Sequence, residues 1–205
     1  MVKYSKEFDC SDRNIKLWME KVQALGNEFR FDEEFIFNFD ETSIQIDDNH
    51  LKVLSTKEIK PIVKKNPSIN HLTLGITICQ DGSILKPLLV SKRKKGALGK
   101  MEKLNFEYLE YYSKTGWINQ VIFFNYFSDY FLKKISKKRK KLKKENAHVI
   151  VFIDNHSSHF DEKLCFQFFR NNIHLILLPP NCTHILQPLD IGFFSLFQVL
   201  FQCQC

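Results

Sequence analysis

The sequence lacks several features that would have placed it quickly. Its six cysteines (Cys10, Cys79, Cys165, Cys182, Cys203, Cys205) include no Cys-x-x-Cys pair and no zinc-ligand spacing. Reduced thiols in an intracellular protein are therefore expected. The opening MVKYSKEFDC is polar and has no apolar core of a secretory signal. No run of ~18 apolar residues exists to span a bilayer, and no internal repeat is visible. These absences argue against a secreted disulfide scaffold, a zinc module, a helical membrane protein and a solenoid.

What remains is one chain of 205 residues, long enough for a single domain with a sizeable core plus an appendage. Hydrophobic residues make up 44%, too many for a disordered chain. The formal net charge of +7 suits a polyanionic partner such as DNA.

Ile15, Trp18, Val22 and Leu25 fall at helical spacing, so residues 11–30 are expected to be helical, with Ser11 or Asp12 as cap. FIFNFD (35–40) is a dense apolar strand that ends in an acid. HLTLGITICQ (71–80) alternates, with Leu72, Leu74, Ile76 and Ile78 on one face of a half-buried strand. Asp81-Gly82 signals a hairpin, and Ile84–Val90 is its return strand. Pro87 would confine that strand to a sheet edge. A helix is expected from Trp117 to Ile135, with Trp117, Val121, Phe124, Phe127, Phe131 and Ile135 as its stripe. Residues 133–144 then carry nine Lys or Arg in twelve positions. HVIVFI (148–153) has the uninterrupted apolar character of a central strand and stops at Asp154. A short helix (161–170), a buried strand (173–178) and a last helix opened by Pro188 follow. The fold class is therefore α/β: a mixed five-stranded sheet with helices on both faces.

Asp40, Asp154 and Asp190 stand out because the first two end strands and the third lies in the first turn of a helix, where open α/β sheets collect ligands. Carboxylates are hard oxygen donors suited to Mg²⁺ or Mn²⁺. From spacing alone they could equally be strand-end and cap residues. His156 and His159, in DNHSSH, could contact phosphate or, with a third ligand, hold zinc.

Three segments together go further: FNFDETSI, VFIDNHSSH and LLPPNCTHILQPLDIGFF. They resemble the signature blocks of the pogo/Tigger branch of DDE transposases, whose relatives include domesticated jerky-like and centromere-binding proteins. The resemblance covers about residues 11–205, in the family's order. It implies an RNase H-like fold. It implies that Asp40, Asp154 and Asp190 form a catalytic triad binding Mg²⁺ or Mn²⁺ for DNA cleavage and strand transfer. The basic loop Lys92, Arg93, Lys94 and Lys95, with His156 and His159, would contact DNA. The division expected is a helical lead-in over 1–33 and a catalytic domain over 34–205, truncated at its C-terminus and lacking the family's helix-turn-helix domains. A domesticated, non-catalytic DNA-binding or chromatin-associated protein is the alternative. KKRKK (137–141) suggests nuclear import. The apolar last helix suggests association into a homo-oligomer.

Overall fold

The computed structural model describes residues 10–46, 70–92, 107–155 and 161–194. Six strands among the described residues form one mixed sheet: β1 (Ile36–Ile46), β2 (Asn70–Cys79), β3 (Leu88–Ser91), β4 (Leu109–Tyr112), β5 (Val149–Ile153) and β6 (Ile173–Leu177). Their order is β4-β3-β2-β1-β5-β6. β1 runs antiparallel to β2 and β2 to β3, while β3–β4, β1–β5 and β5–β6 are parallel. This is the expected α/β architecture with one strand more. β4 is the addition: its residues alternate between half-buried and exposed, so it carries no apolar run to announce it.

That sixth strand displaces β3 from the edge. Pro87 precedes β3 rather than sitting inside it, and its carbonyl accepts a hydrogen bond from Leu109 N–H at 2.8 Å. A proline just before a strand withholds no ladder donor, so the edge it was expected to mark was not required. Ile84 makes only an isolated bridge to Ile78. β1 also runs six residues beyond Asp40, because the ten-residue β2 pairs with it as far as Ile46.

Both faces of the sheet are covered. Phe35, Phe37 and Phe39 point to one side and are at most 1% exposed. The helices α2 (Gln120–Asn125) and α3 (Leu132–Leu142) cover them, joined without a break by a wider π-type turn (Tyr126–Phe131). The buried residues Phe123, Phe127, Phe131, Ile135 and Arg139 recur every four positions. In a regular α-helix each such step overshoots a full turn by about 40°. The wider turn absorbs part of that drift and keeps the row facing the sheet. The expected stripe is shifted accordingly: Trp117 and Val121 are exposed, and Asn119 caps the helix by accepting from Ile122 N–H at 3.0 Å. α4 (Glu162–Arg170) adds Leu164 and Phe168 to this core, with Asp161 as its cap.

β2 is not half-buried. Thr73 and Thr77 face the Phe-rich side fully buried, donating to Gly116 O at 2.7 Å and sharing a 2.6 Å hydrogen bond with the Tyr126 hydroxyl. Gly75 lies between them. A Cβ there would come within 3.1 Å of the Phe39 ring and 3.2 Å of Ile118.

On the opposite face Leu72, Leu74, Ile76 and Leu89 pack with Ile44, Leu189 and Phe194. α1 (Asp12–Phe29) has no fully buried residue and is held by contacts near its middle and its end, with Cys10 just before it adding another. The Trp18 indole N–H donates to Leu177 O at 2.9 Å, and its ring meets Phe152 edge-on. Phe29 stacks on His148 and His174, and the Cys10 and Cys182 thiols hydrogen-bond. The four described cysteines are free thiols. Among the described residues no helix is long and apolar enough to cross a membrane.

Candidate active site

Alternation along β1 puts Asn38 and Asp40 on the face opposite Phe37 and Phe39. The parallel ladder between β1 and β5 pairs Ile36 with Ile150, Phe37 with Val151 and Asn38 with Phe152. Two residues further, that register brings Asp40 level with Asp154, which directly follows β5. After β6 the chain turns through Pro179-Pro180 into α5 (Thr183–Leu186), and Pro188 caps a helical segment, Leu189–Phe193. Leu189 is fully buried on the sheet, and the next residue is the exposed Asp190. The three acids thus come from three elements that meet on one face.

Asp40 is 8% exposed. Burial pushes its carboxyl from 3.8 up to about 7, and the charges of Asp190 and Asp154 add to the rise. Hydrogen bonds from the Glu41 backbone and the Gln187 side chain act the other way. Asp40 therefore senses both other acids. Among the described residues, though, no three His, Cys, Asp or Glu side chains form a group that could hold a metal ion. Two surface cavities, of about 290 and 380 Å³, lie elsewhere, beside His148 and His174 and beside Ile84 and Phe193.

Two site residues escaped the sequence reading. Asn38 and Gln187 are 5% and 0% exposed. The Asn38 amide donates to Phe152 O at 3.1 Å and to Gln187 Oε1 at 2.9 Å. Gln187 Nε2 donates to Phe39 O at 3.2 Å, and Leu189 N–H donates to Asn38 Oδ1 at 3.4 Å. The available signal was an amide inside each apolar stretch, FNF and ILQPL, since a buried amide needs hydrogen-bond partners.

Of the residues expected to contact DNA, Lys92 is exposed just beyond β3. Arg93, Lys94, Lys95, His156 and His159 lie outside the described residues, as does the last helix from residue 195 onward. The basic run 133–144 divides. Arg139 is buried and donates to Ala147 O and Asn171 O, Lys138 pairs with Asp81 at 2.6 Å, and Lys144 reaches Asp32 and Glu34. Lys133, Lys134, Lys137, Lys140, Lys141 and Lys143 are exposed.

The family model for the DDE superfamily endonucleases matches residues 70–204, a span containing Asp154 and Asp190. The chain belongs to the DDE superfamily endonucleases. The structure agrees: the catalytic domain of the Mos1 mariner transposase superimposes with a TM-score of 0.59, at 15% identity, over 95% of this chain and 74% of that one. The same domain with raltegravir and Mn gives 0.55, at 15% identity and the same coverage. A pre-cleavage Mos1 transpososome gives 0.52, at 14% identity, over 98% of this chain and 53% of that one. At such identities the likeness establishes the RNase H-like fold of a transposase catalytic domain. A 46-residue stretch is also 44% identical to a protein of Cochliobolus lunatus named MFS-type transporter clz9. The match takes in 22% of this DDE-family chain and 5% of that protein's length.

Proposed function

We propose that this chain is a DNA endonuclease and strand-transfer domain dependent on Mg²⁺ or Mn²⁺, with Asp40, Asp154 and Asp190 as its catalytic residues. The observation that carries the proposal is Asp40: a buried carboxyl facing two further acids, with its proton affinity raised by all three circumstances. Like charges gathered in this way repel, and a bound cation relieves the repulsion. The donors are all carboxylates, which fit a hard divalent ion better than zinc. Mos1 catalytic-domain structures with Mn and with Mg support the same choice.

Asp40, Asp154 and Asp190 would hold the ions. Bound there, the ions would activate a water or a 3′-hydroxyl and stabilise the departing oxygen of a phosphodiester. The chain's own part is positional. Asp40 would surrender its proton when the site is loaded, β1 and the end of β5 would hold two carboxylates level with each other, and the exposed Asp190 would complete the set from the solvent side. An open surface admits a duplex that an enclosed pocket would refuse. Lys92, Arg93, Lys94, Lys95, His156 and His159 are assigned to the phosphate backbone, which positions DNA without reading its sequence. Self-association through the apolar C-terminal sequence and a nuclear location complete the proposal.

The test is nicking of supercoiled plasmid by the purified chain. Nicks that depend on Mn²⁺ or Mg²⁺ and stop with chelator support the assignment. Salt-dependent DNA binding without nicking in either metal would favour the non-catalytic, domesticated alternative.

A further inference from the structure

We propose that Asn38 and Gln187 are the positioning residues of this site, a two-amide clamp that fixes Asp190 relative to Asp40 and Asp154. The inference rests on the site assignment above and deepens it. The Asn38 side chain touches all three acid-bearing elements. It stands on β1 two residues before Asp40. It donates to the carbonyl of Phe152, two residues before Asp154. It also binds Gln187 Oε1 and the Leu189 N–H, on the segment that carries Asp190.

Gln187 completes the link. Its side-chain amide donates to Phe39 O and hydrogen-bonds Asp40, while its backbone carbonyl makes the ordinary helical bond to Ile191 N–H at 3.1 Å. Leu189, the residue before Asp190, is thus tied by its N–H to the Asn38 side chain. The Leu189–Phe193 segment is five residues long and too short to hold its own direction. Packing of Leu189 sets its depth on the sheet, but a leucine does not fix rotation. Directional hydrogen bonds do. Two apolar side chains of similar size would fill the same space at little cost in stability. The amides therefore contribute placement more than stability.

The test uses Gln187→Met and Asn38→Leu, which keep volume and remove the hydrogen bonds. Outer-shell partners of metal ligands are typically worth about 10- to 100-fold in metal affinity. Each variant should therefore weaken Mn²⁺ binding, measured by calorimetry, by at least ~10-fold. Each leaves the other amide unpaired and should melt somewhat below wild type, with its near-ultraviolet dichroism close to wild type, whereas the double variant should recover part of that loss. In metal-free hydrogen exchange, the Leu189 amide should be protected in wild type and exchange faster in Asn38→Leu. Folded Gln187→Met with wild-type Mn²⁺ affinity would overturn the clamp while leaving the site assignment standing. An unprotected Leu189 amide in wild type would overturn it even if neither variant folds. Wild type that binds no Mn²⁺ would overturn the site assignment and the clamp together.

Discussion

Asn38 of β1 stands opposite Phe152 of β5 in parallel register, and each is followed two residues later by an aspartate. The same pairing that builds the centre of the sheet thus sets Asp40 beside Asp154. In this chain the register of the core and the geometry of the site are one constraint.

The first prediction concerns pH. Asp40 is pushed from 3.8 to about 7 in the folded chain, first by burial and then by Asp190 and Asp154. Between those values the folded state keeps a proton that the unfolded state has released. Metal-free stability should therefore fall as pH rises from about 4 to about 7 and level off above that. Asp40→Asn removes the dependence, so the metal-free variant should melt several degrees above wild type at pH 8 and level with it near pH 4. Thermal melts across that range decide it, and parallel curves for the two proteins would contradict the assigned burial.

The basic helix should behave as two populations. Arg139→Ala leaves the Ala147 and Asn171 carbonyls without their donor and should cost about 2–4 kcal/mol. It should scarcely change the DNA affinity of the folded fraction. Replacing the exposed Lys133, Lys137, Lys140 and Lys141 should do the reverse, lowering DNA affinity and flattening its salt dependence. Denaturant melts and binding isotherms at two salt concentrations separate the effects. The engagement of Lys138 and Arg139 also leaves KKRKK only partly accessible as an import signal.

Gly75→Ala should destabilise the chain by about 1–3 kcal/mol. Its new methyl would meet Phe39 at 3.1 Å, and Phe39 has no room to retreat because Phe123, Tyr126 and Phe127 surround it. Urea denaturation measures this, and an unchanged midpoint would show that the core yields.

Trp18→Ala should loosen α1 without unfolding the sheet, since α1 has no fully buried residue and Trp18 supplies both its bond to Leu177 O and its contact with Phe152. Limited proteolysis should then cut within residues 12–29 first. Simultaneous loss of the whole chain would mean that the helix belongs to the core.

Much of this was legible in the sequence because β1, β5 and β6 are dense apolar runs and α1 keeps a regular stripe. Asp40 and Asp154 were legible as acids that close apolar runs of sequence, although β1 continues past Asp40, and Asp190 only as an acid in the first turn of a helix. What stayed hidden depends on partners far away in the chain. β4 has a weak pattern of its own and exists because β3 offers it a neighbour. The buried row every four residues on α2 and α3 needs a π-type turn that periodicity at 3.6 does not anticipate. Asn38 and Gln187, 149 positions apart, gain meaning only once the fold brings them together. The cationic run looked uniform, and only the fold shows that Lys138, Arg139 and Lys144 already have partners.

The central claim is that Asp40, Asp154 and Asp190 act as one site. The most direct measurement is Mn²⁺-dependent nicking of supercoiled DNA by wild type and by Asp40→Asn, Asp154→Asn and Asp190→Asn, each shown to be folded by circular dichroism. The account predicts nicking by wild type and its loss in all three variants. A folded variant of any of the three that nicks at the wild-type rate would contradict it.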